Sequence, residues 1–473
     1  MIAAVYEIHD QRFDPTSAEA FIRLLRDCVR KHPFLSVVVT GADTEEPAYE
    51  AVPEHNLEDH IVVLTDEETP LPSLETELEA FETVLPSMLD RPWPAHIPPW
   101  RIVVLPLSTR ASTEACAPHG VKRCFVAFAF SHTIGDGMVG PVFHRTFLDA
   151  LRHDMMSETS EITPIIVTDP DLTLPEPFDT PERLPVSWSF LLGPVLAVYL
   201  PKFVNNLLGL RAASNIIDSG TWTGAPMFHD PTRTQGSNSQ VKMFALSSAA
   251  LQSILQAART HGSKLTAVLH QSIVRALAST LPESDRSKNF VSCTAVNMRS
   301  SVGLSSDTWG LYVSGHYEVH ARPLPVNGTV STWSEQTWTD ARSLTTALAE
   351  CAGRLQDQAI GLLRYAPSIR AWTLGKIGQR RDASYEVSNL LAVHGDNGSG
   401  GGCSITRMLF AQPGNAGSAP LVFNFVSVRE GELVCAVTWQ AGALALEDKR
   451  SEDEFVAEIC DRVRADLEAV GQM

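Results

Sequence analysis

A chain of 473 residues is too long for one ordinary hydrophobic core and points to two domains of about 200 residues each. Hydrophobic residues make up 44% and charged residues 19%, with a mean hydropathy of −0.02, which argues against both disorder and a chain of membrane spans. The 37 basic and 55 acidic residues leave a formal charge of −18, a surface that repels phosphodiester backbones, so nucleic acid is not an expected partner.

Met1 to Tyr6 is followed at once by Glu7, His9 and Asp10, so no secretory leader is read. The cysteines at 28, 116, 124, 293, 351, 403, 435 and 460 form no CxxC pair. That spacing suits reduced thiols of a cytoplasmic protein better than disulfides or a zinc site. Thr16 and Glu19 read as a capping box, opening a helix through Phe21, Leu25 and Val29 that Pro33 stops. A strand follows from Phe34 to Thr40. Leu74, Leu78, Phe81 and Leu85 mark a second helix, closed by Pro86. Strands are predicted over Arg101–Leu107 and Lys122–Phe130. Next comes Ser131-His132-Thr133-Ile134-Gly135-Asp136-Gly137, then a helix carrying Val142, Phe143, Phe147 and Leu151.

From 156 to 240 prolines cluster and periodicity fades, as in a crossover linker. Within it, residues 184–201 carry no charge. A buried or lid-like helix, a peripheral membrane contact and a bilayer span are all open, although Pro185, Pro194, Pro201 and Gly193 disfavour the span. Beyond 240 the pattern gives a strand over Val241–Leu246 and a helix capped by Ser247 or Ser248, then another helix from Leu265 to Leu281. Strands near 290–296 and 311–319 precede a long helix over 334–360. Three strands (405–411, 421–428, 433–440) and a helix over 452–468 close the chain. The fold class is α/β (α+β) in two lobes: 1–155 carrying the motif, 156–240 as linker, and 241–473.

An imidazole titrates near neutrality, so His132 is a candidate general base, with glycines at 135, 137 and 140 allowing close backbone approach. Other readings compete. A strand-end histidine is often only a satisfied core residue. His132 and Asp136 have metal-pair spacing, but the glycines break the helix that pair needs. A serine hydrolase would need a GxSxG elbow, which the chain lacks. The glycine run 398–402 reads as a loop and not as a nucleotide fingerprint.

Six segments recur in a telling order: Cys28 to Leu35 with its His32-Pro33 step, Pro98-Pro99-Trp100-Arg101, the HxxxDG motif, Val296-Asn297-Met298-Arg299, Trp309-Gly310, and Val387-Ser388-Asn389-Leu390. Over nearly its whole length the sequence resembles the acyltransferase superfamily that shares the chloramphenicol acetyltransferase fold. It looks closest to the alcohol O-acetyltransferase branch, with BAHD acyltransferases and condensation domains as relatives. It departs from BAHD enzymes in lacking DFGWG and in carrying Leu311, and from condensation domains in carrying Ser131 beside the histidine.

The resemblance implies two lobes of mixed sheets and helices with a tunnel between them and His132 at its centre. Acyl-CoA, as acetyl-CoA, enters from one face as co-substrate, and a small-molecule or natural-product acceptor from the other. His132 is the catalytic base. Asp136 has a structural role, orienting the loop through an arginine, for which Arg299 is the candidate; Gly137 supports the loop. Trp309, Ser388 and Asn389 line the substrate pocket. Ser388, Asn389 or a backbone N–H near Gly137 would face the oxyanion. No permanent cofactor and no metal are implied, and the chain is read as a monomer. A cyclase or isomerase, an N-acyltransferase or condensation-type enzyme, and a catalytically silent binding protein stay open as alternatives.

Overall fold

The strand over 122–130 is buried along most of its length and delivers the motif at its end. Alternating Cys124, Val126 and Phe128 face one side, and Phe125 and Ala127 the other, so both faces of its sheet must be covered. The computed structural model describes the chain except residues 65–76, 108–120, 157–162, 201–203, 205–215, 230–237, 283, 324–332, 396–401 and 447–449.

In chain order the first half carries β1 (Ile2–Ile8), α1 (Glu19–Lys31), β2 (Val37–Thr40), β3 (Ala48–Ala51), β4 (Glu54–Asn56), β5 (Ile61–Val63) and α2 (Glu77–Leu89). It continues with β6 (Trp100–Leu107), β7 (Lys122–Phe130), α3 (Val139–Met156), β8 (Ile165–Val167) and α4 (Trp188–Tyr199). The second half carries β9 (Ser239–Leu246), α5 (Ser248–Thr260), α6 (Leu265–Thr280), β10 (Asn289–Asn297), β11 (Val313–Ala321) and α7 (Glu335–Gly353). It ends with α8 (Ile369–Leu374), β12 (Tyr385–Val393), β13 (Cys403–Phe410), β14 (Leu421–Val428), β15 (Leu433–Gln440) and α9 (Glu452–Gly471).

The first sheet has the order β13-β1-β7-β6-β5 and the second β11-β10-β12-β14-β15-β9. Both are mixed: β5 and β6 run parallel, as do β10 with β12 and β12 with β14. α1 and α3 cover one face of the first sheet, where the rings of Phe128 and Phe143 stack at 3.8 Å. Its other face packs against α2 and residues of β9 and β15, which joins the sheets through a shared apolar layer. α5, α6 and α9 cover the second sheet. The α/β class with mixed sheets is therefore as expected.

Several local readings differ. Thr16 gives its hydroxyl to Asp14, at 2.7 Å, so it caps no helix, and α1 starts at Glu19 without a side-chain cap. Pro33–Ser36 is a 3-10 turn, and only Val37–Thr40 is strand. α2 runs through Pro86 because burying Leu85 just before it and Met88 beyond it outweighs one missing hydrogen bond, and the Asp90 carboxylate after the helix is held by Ser239. α7 ends at Gly353, where the chain turns extended, and residues 359–365 form a separate 3-10 turn. β13 was expected with the second lobe, yet its hydrogen bonds to β1 make it an edge of the first sheet, since its buried face of Ile405, Met408 and Phe410 completes that core. The run 398–402 lies almost wholly outside the described residues. Among the described residues no helix is long and apolar enough to cross a membrane, and the seven described cysteines are all unpaired.

α3 lies so close to β1 that a Cβ on Gly140 would sit 2.4 Å from Ile2 Cγ1. Overpacking there should cost about 1–3 kcal/mol. Gly140→Ala is expected to lower the midpoint of chemical denaturation accordingly; an unchanged midpoint would show that α3 has room to move.

Candidate active site

β7 ends at Phe130, and Ser131 then turns the chain into one 3-10 turn, His132–Ile134, with its hydroxyl accepting the Thr133 N–H at 3.3 Å. Four ties hold this loop. Ser131 N–H donates to the Pro99 carbonyl at 2.8 Å, and the Tyr49 hydroxyl reaches the Thr133 carbonyl. From the second half of the chain, the Trp309 indole N–H donates to the Ile134 carbonyl at 2.8 Å, and the Asp136 N–H donates to the Gly310 carbonyl at 3.2 Å. At Gly135 the backbone is extended, as any residue allows, and Val139 is what forbids a side chain: its Cγ1 lies 2.6 Å from the place a Cβ would take.

Asp136 is buried and all of its acceptor capacity is used. One oxygen accepts from Met138 N–H at 3.0 Å and from Arg299 Nη2 at 2.9 Å; the other accepts from Tyr312 N–H and Arg299 Nη1, both at 2.8 Å. The planar guanidinium thus clasps both oxygens, the geometry in which arginine exceeds any lysine. Its remaining donors are spent too: Nε on the Thr308 carbonyl at 2.9 Å, Nη2 also on the Gly310 carbonyl at 3.1 Å, and Nη1 also on Asn297 at 3.3 Å. Arg299 is 1% exposed, with its charge 5.1 Å from the Tyr312 ring. The pair expected from the sequence is formed, and with it the strand end at 297–299 and the motif loop become one rigid unit.

The His132 side chain is exposed into open space. The residue lines a cavity of about 680 Å³ and a second of about 590 Å³, so the two share His132 and Val313 in their walls. Asp136, Gly137, Arg299, Ser388 and Asn389 line the larger one. The Ser388 hydroxyl has no hydrogen-bond partner among the described residues, whereas the Asn389 amide is turned to Thr266 at 3.2 Å and its oxygen accepts the Leu391 N–H. Trp309 lines neither cavity. It is 5% exposed and lies against His32, the rings tilted by 32° with centroids 4.5 Å apart, because its N–H is needed behind the loop. Burial pushes the His32 imidazole down to about 4, which keeps that contact neutral. Sequence reasoning missed Tyr312, whose contribution is a backbone N–H, and Glu386, an acid two residues before Ser388 on β12 that lines the larger cavity. Among the described residues no group of three or more histidine, cysteine or carboxylate side chains could hold a metal.

Comparison with known proteins decides the family: residues 78–461 match the alcohol acetyltransferase family, by far the greater part of the chain. The chain belongs to that family. It is an acyltransferase. Among similar proteins are two probable alcohol acetyltransferases. FCK4 of Fusarium pseudograminearum is 22% identical over 444 residues, spanning 92% of this chain and 84% of that protein. crmB of Aspergillus fumigatus is 22% identical over 443 residues, spanning 88% and 85%. Of solved structures, TRI3 trichothecene 15-O-acetyltransferase of Fusarium sporotrichioides superposes with a TM-score of 0.64 at 15% identity, covering 99% of this chain and 90% of that one. An epimerization domain of tyrocidine synthetase B gives 0.54 at 12%, covering 99% and 92%. These likenesses establish the two-lobed fold.

In this alcohol acetyltransferase family member, every oxygen lone pair of Asp136 faces an N–H, so an amide cannot replace the carboxylate in either orientation without setting donor against donor. Asp136→Asn also strands the buried Arg299 charge. It should cost roughly 3–5 kcal/mol of stability, read by denaturant unfolding, with activity falling in parallel. Unfolding at the wild-type midpoint would contradict the clasp.

Proposed function

We propose that the protein transfers an acetyl group from acetyl-CoA to a hydroxyl of a small-molecule acceptor, with His132 as general base in a ternary complex. One observation carries this reading: the His132 side chain is open to two cavities at once, on a loop that a buried ion pair fixes. Two substrates approaching from opposite sides would meet at the imidazole, which removes the entropic barrier to their encounter. His132 takes the acceptor's hydroxyl proton as its oxygen bonds to the thioester carbonyl carbon. The tetrahedral intermediate then collapses, the carbon–sulfur bond breaks, and the departing thiolate takes the proton from the imidazolium. The developing oxyanion has two donors that are not already committed among the described residues, the Ser388 hydroxyl and the Gly137 N–H. Asn389, held by Thr266, is a poorer candidate. Asp136 acts through the loop and not on substrate, since its oxygens are occupied.

The same reading includes a lipid surface as a partner. Trp188, Leu192 and Leu196 recur every fourth residue along α4 and are 82%, 53% and 36% exposed. Beside the start of α4, Arg364 donates to the Leu184 carbonyl at 2.8 Å, and the following stretch exposes Ile369, Trp372, Leu374 and Ile377. Exposed apolar side chains at helical spacing suit the interfacial layer of a bilayer, and nothing in α4 requires insertion across it.

Replacing His132 by Ala should cut turnover with acetyl-CoA and a responsive alcohol on the order of 10²–10⁴-fold while leaving thermal unfolding in place. Near-native turnover would reject His132 as the base. For the lipid contact, the wild-type protein is expected to sediment with phosphatidylcholine vesicles containing phosphatidylserine and the triple variant Trp188→Ser, Leu192→Ser, Leu196→Ser to stay in the supernatant. Equal partitioning of the two proteins would remove the membrane reading.

A further inference from the structure

The wall of the larger cavity is the second sheet, and its side chains stand in rows. Ala295 and Gly315 face each other across β10 and β11, and both are small, which leaves an open trough. One row farther from His132 stand Cys293 and Glu386, register partners on β10 and β12. Glu386 and Ser388 are two residues apart on one strand and so point to the same side. At the near end of this strand Leu390 meets the motif loop, with its Cδ2 2.9 Å from the place a Cβ would take on Gly137. Four residues of strand separate Leu390 from Glu386, about 13 Å.

Glu386 is half-buried at that far end. One of its oxygens accepts from Gln412 Nε2 at 3.2 Å, and among the described residues no cation pairs with it. Burial raises its carboxyl above the ordinary range, the Gln412 contact opposes this, and the Asp382 carboxylate adds to it. A carboxyl group with unused acceptor capacity in a recess is costly unless something donates to it. A polyphosphate, which brings acceptors and few donors, would leave that carboxyl group unsatisfied. In the smaller cavity the acids, Glu176 and Asp179, are exposed to solvent, where screening blunts them. The larger cavity is therefore the acceptor's.

We infer that Glu386 is a specificity-determining residue: the acceptor is an elongated alcohol bearing a second hydrogen-bond donor, an amine or a hydroxyl, about 10–13 Å from the hydroxyl that is acetylated. This rests on acetyl transfer at His132 and adds the shape and polarity of the substrate.

The test uses full-length protein and three acceptors: a ten-carbon primary alcohol, its α,ω-diol and its ω-amino alcohol. Wild type should favour the amino alcohol or the diol over the plain alcohol in kcat/KM, and Glu386→Gln should reduce the amino-alcohol preference on the order of 10–100-fold through acceptor KM. Turnover of the plain alcohol and the KM for acetyl-CoA should stay close to wild type. No preference in wild type, a preference that survives Glu386→Gln, or a loss that falls on acetyl-CoA KM would overturn the inference. If none of the three is acetylated, calorimetric titration of the same amino alcohol into both proteins decides it separately: binding that needs Glu386 supports the recess even as the acetyl-transfer reading fails, and binding that is absent or indifferent to Glu386 overturns it.

Discussion

The clasp between Asp136 and Arg299 is the contact on which the geometry of the site depends. The carboxylate belongs to the loop after β7, and the guanidinium to the turn that follows β10 of the other sheet. Each charge is buried, so neither is tolerable without the other, and the loop and the strand end are obliged to meet in one arrangement. The backbone groups of Gly310 and Tyr312 join the same network, which extends the constraint to the start of β11. His132 makes no part of this network. It is left open on a loop whose other members are tied down, which is how an imidazole can be both reachable and aimed.

The surroundings of the imidazole divide the work between the sheets. The first supplies the strand that carries the histidine and the aromatic stack behind it. The second supplies a wall of small residues along β10, β11 and β12, and hence the space. Apolar continuity between the sheets, through α2, β9 and β15, keeps that space from being squeezed or widened freely.

Much of this was legible in the sequence because the relevant signals are local. β7, β14 and β15 begin and end where alternation and turn residues say they should, since strands buried on a face cannot slip by one residue without turning every side chain over. The ion pair was legible too, because a carboxylate between glycines in a recess needs an arginine and one segment offered it. What stayed hidden is carried by partners that no local pattern names, most of them far apart in the chain. Thr16 resembles a cap until Asp14 takes its hydroxyl. Trp309 sits in a segment that suggests a pocket wall, and only the position of the Ile134 carbonyl shows that it stands behind the loop. Tyr312 gives the site a backbone N–H, a contribution no residue type announces. The membership of β13 in the first sheet depends on register with β1, some 400 residues away in sequence.

That last feature bears on how the chain is made. β1 is an interior strand, yet one of its two neighbours is β13, so a ribosome releases β1 to β7 long before the partner that completes their sheet exists. During that interval β1 is an open edge, buried residues and all, with unpaired backbone groups ready to accept another chain. The first sheet cannot reach its final state by vectorial synthesis alone: it waits for residue 410. A nascent chain that has passed β7 and not yet reached β13 therefore carries an unpaired strand edge that the finished molecule does not.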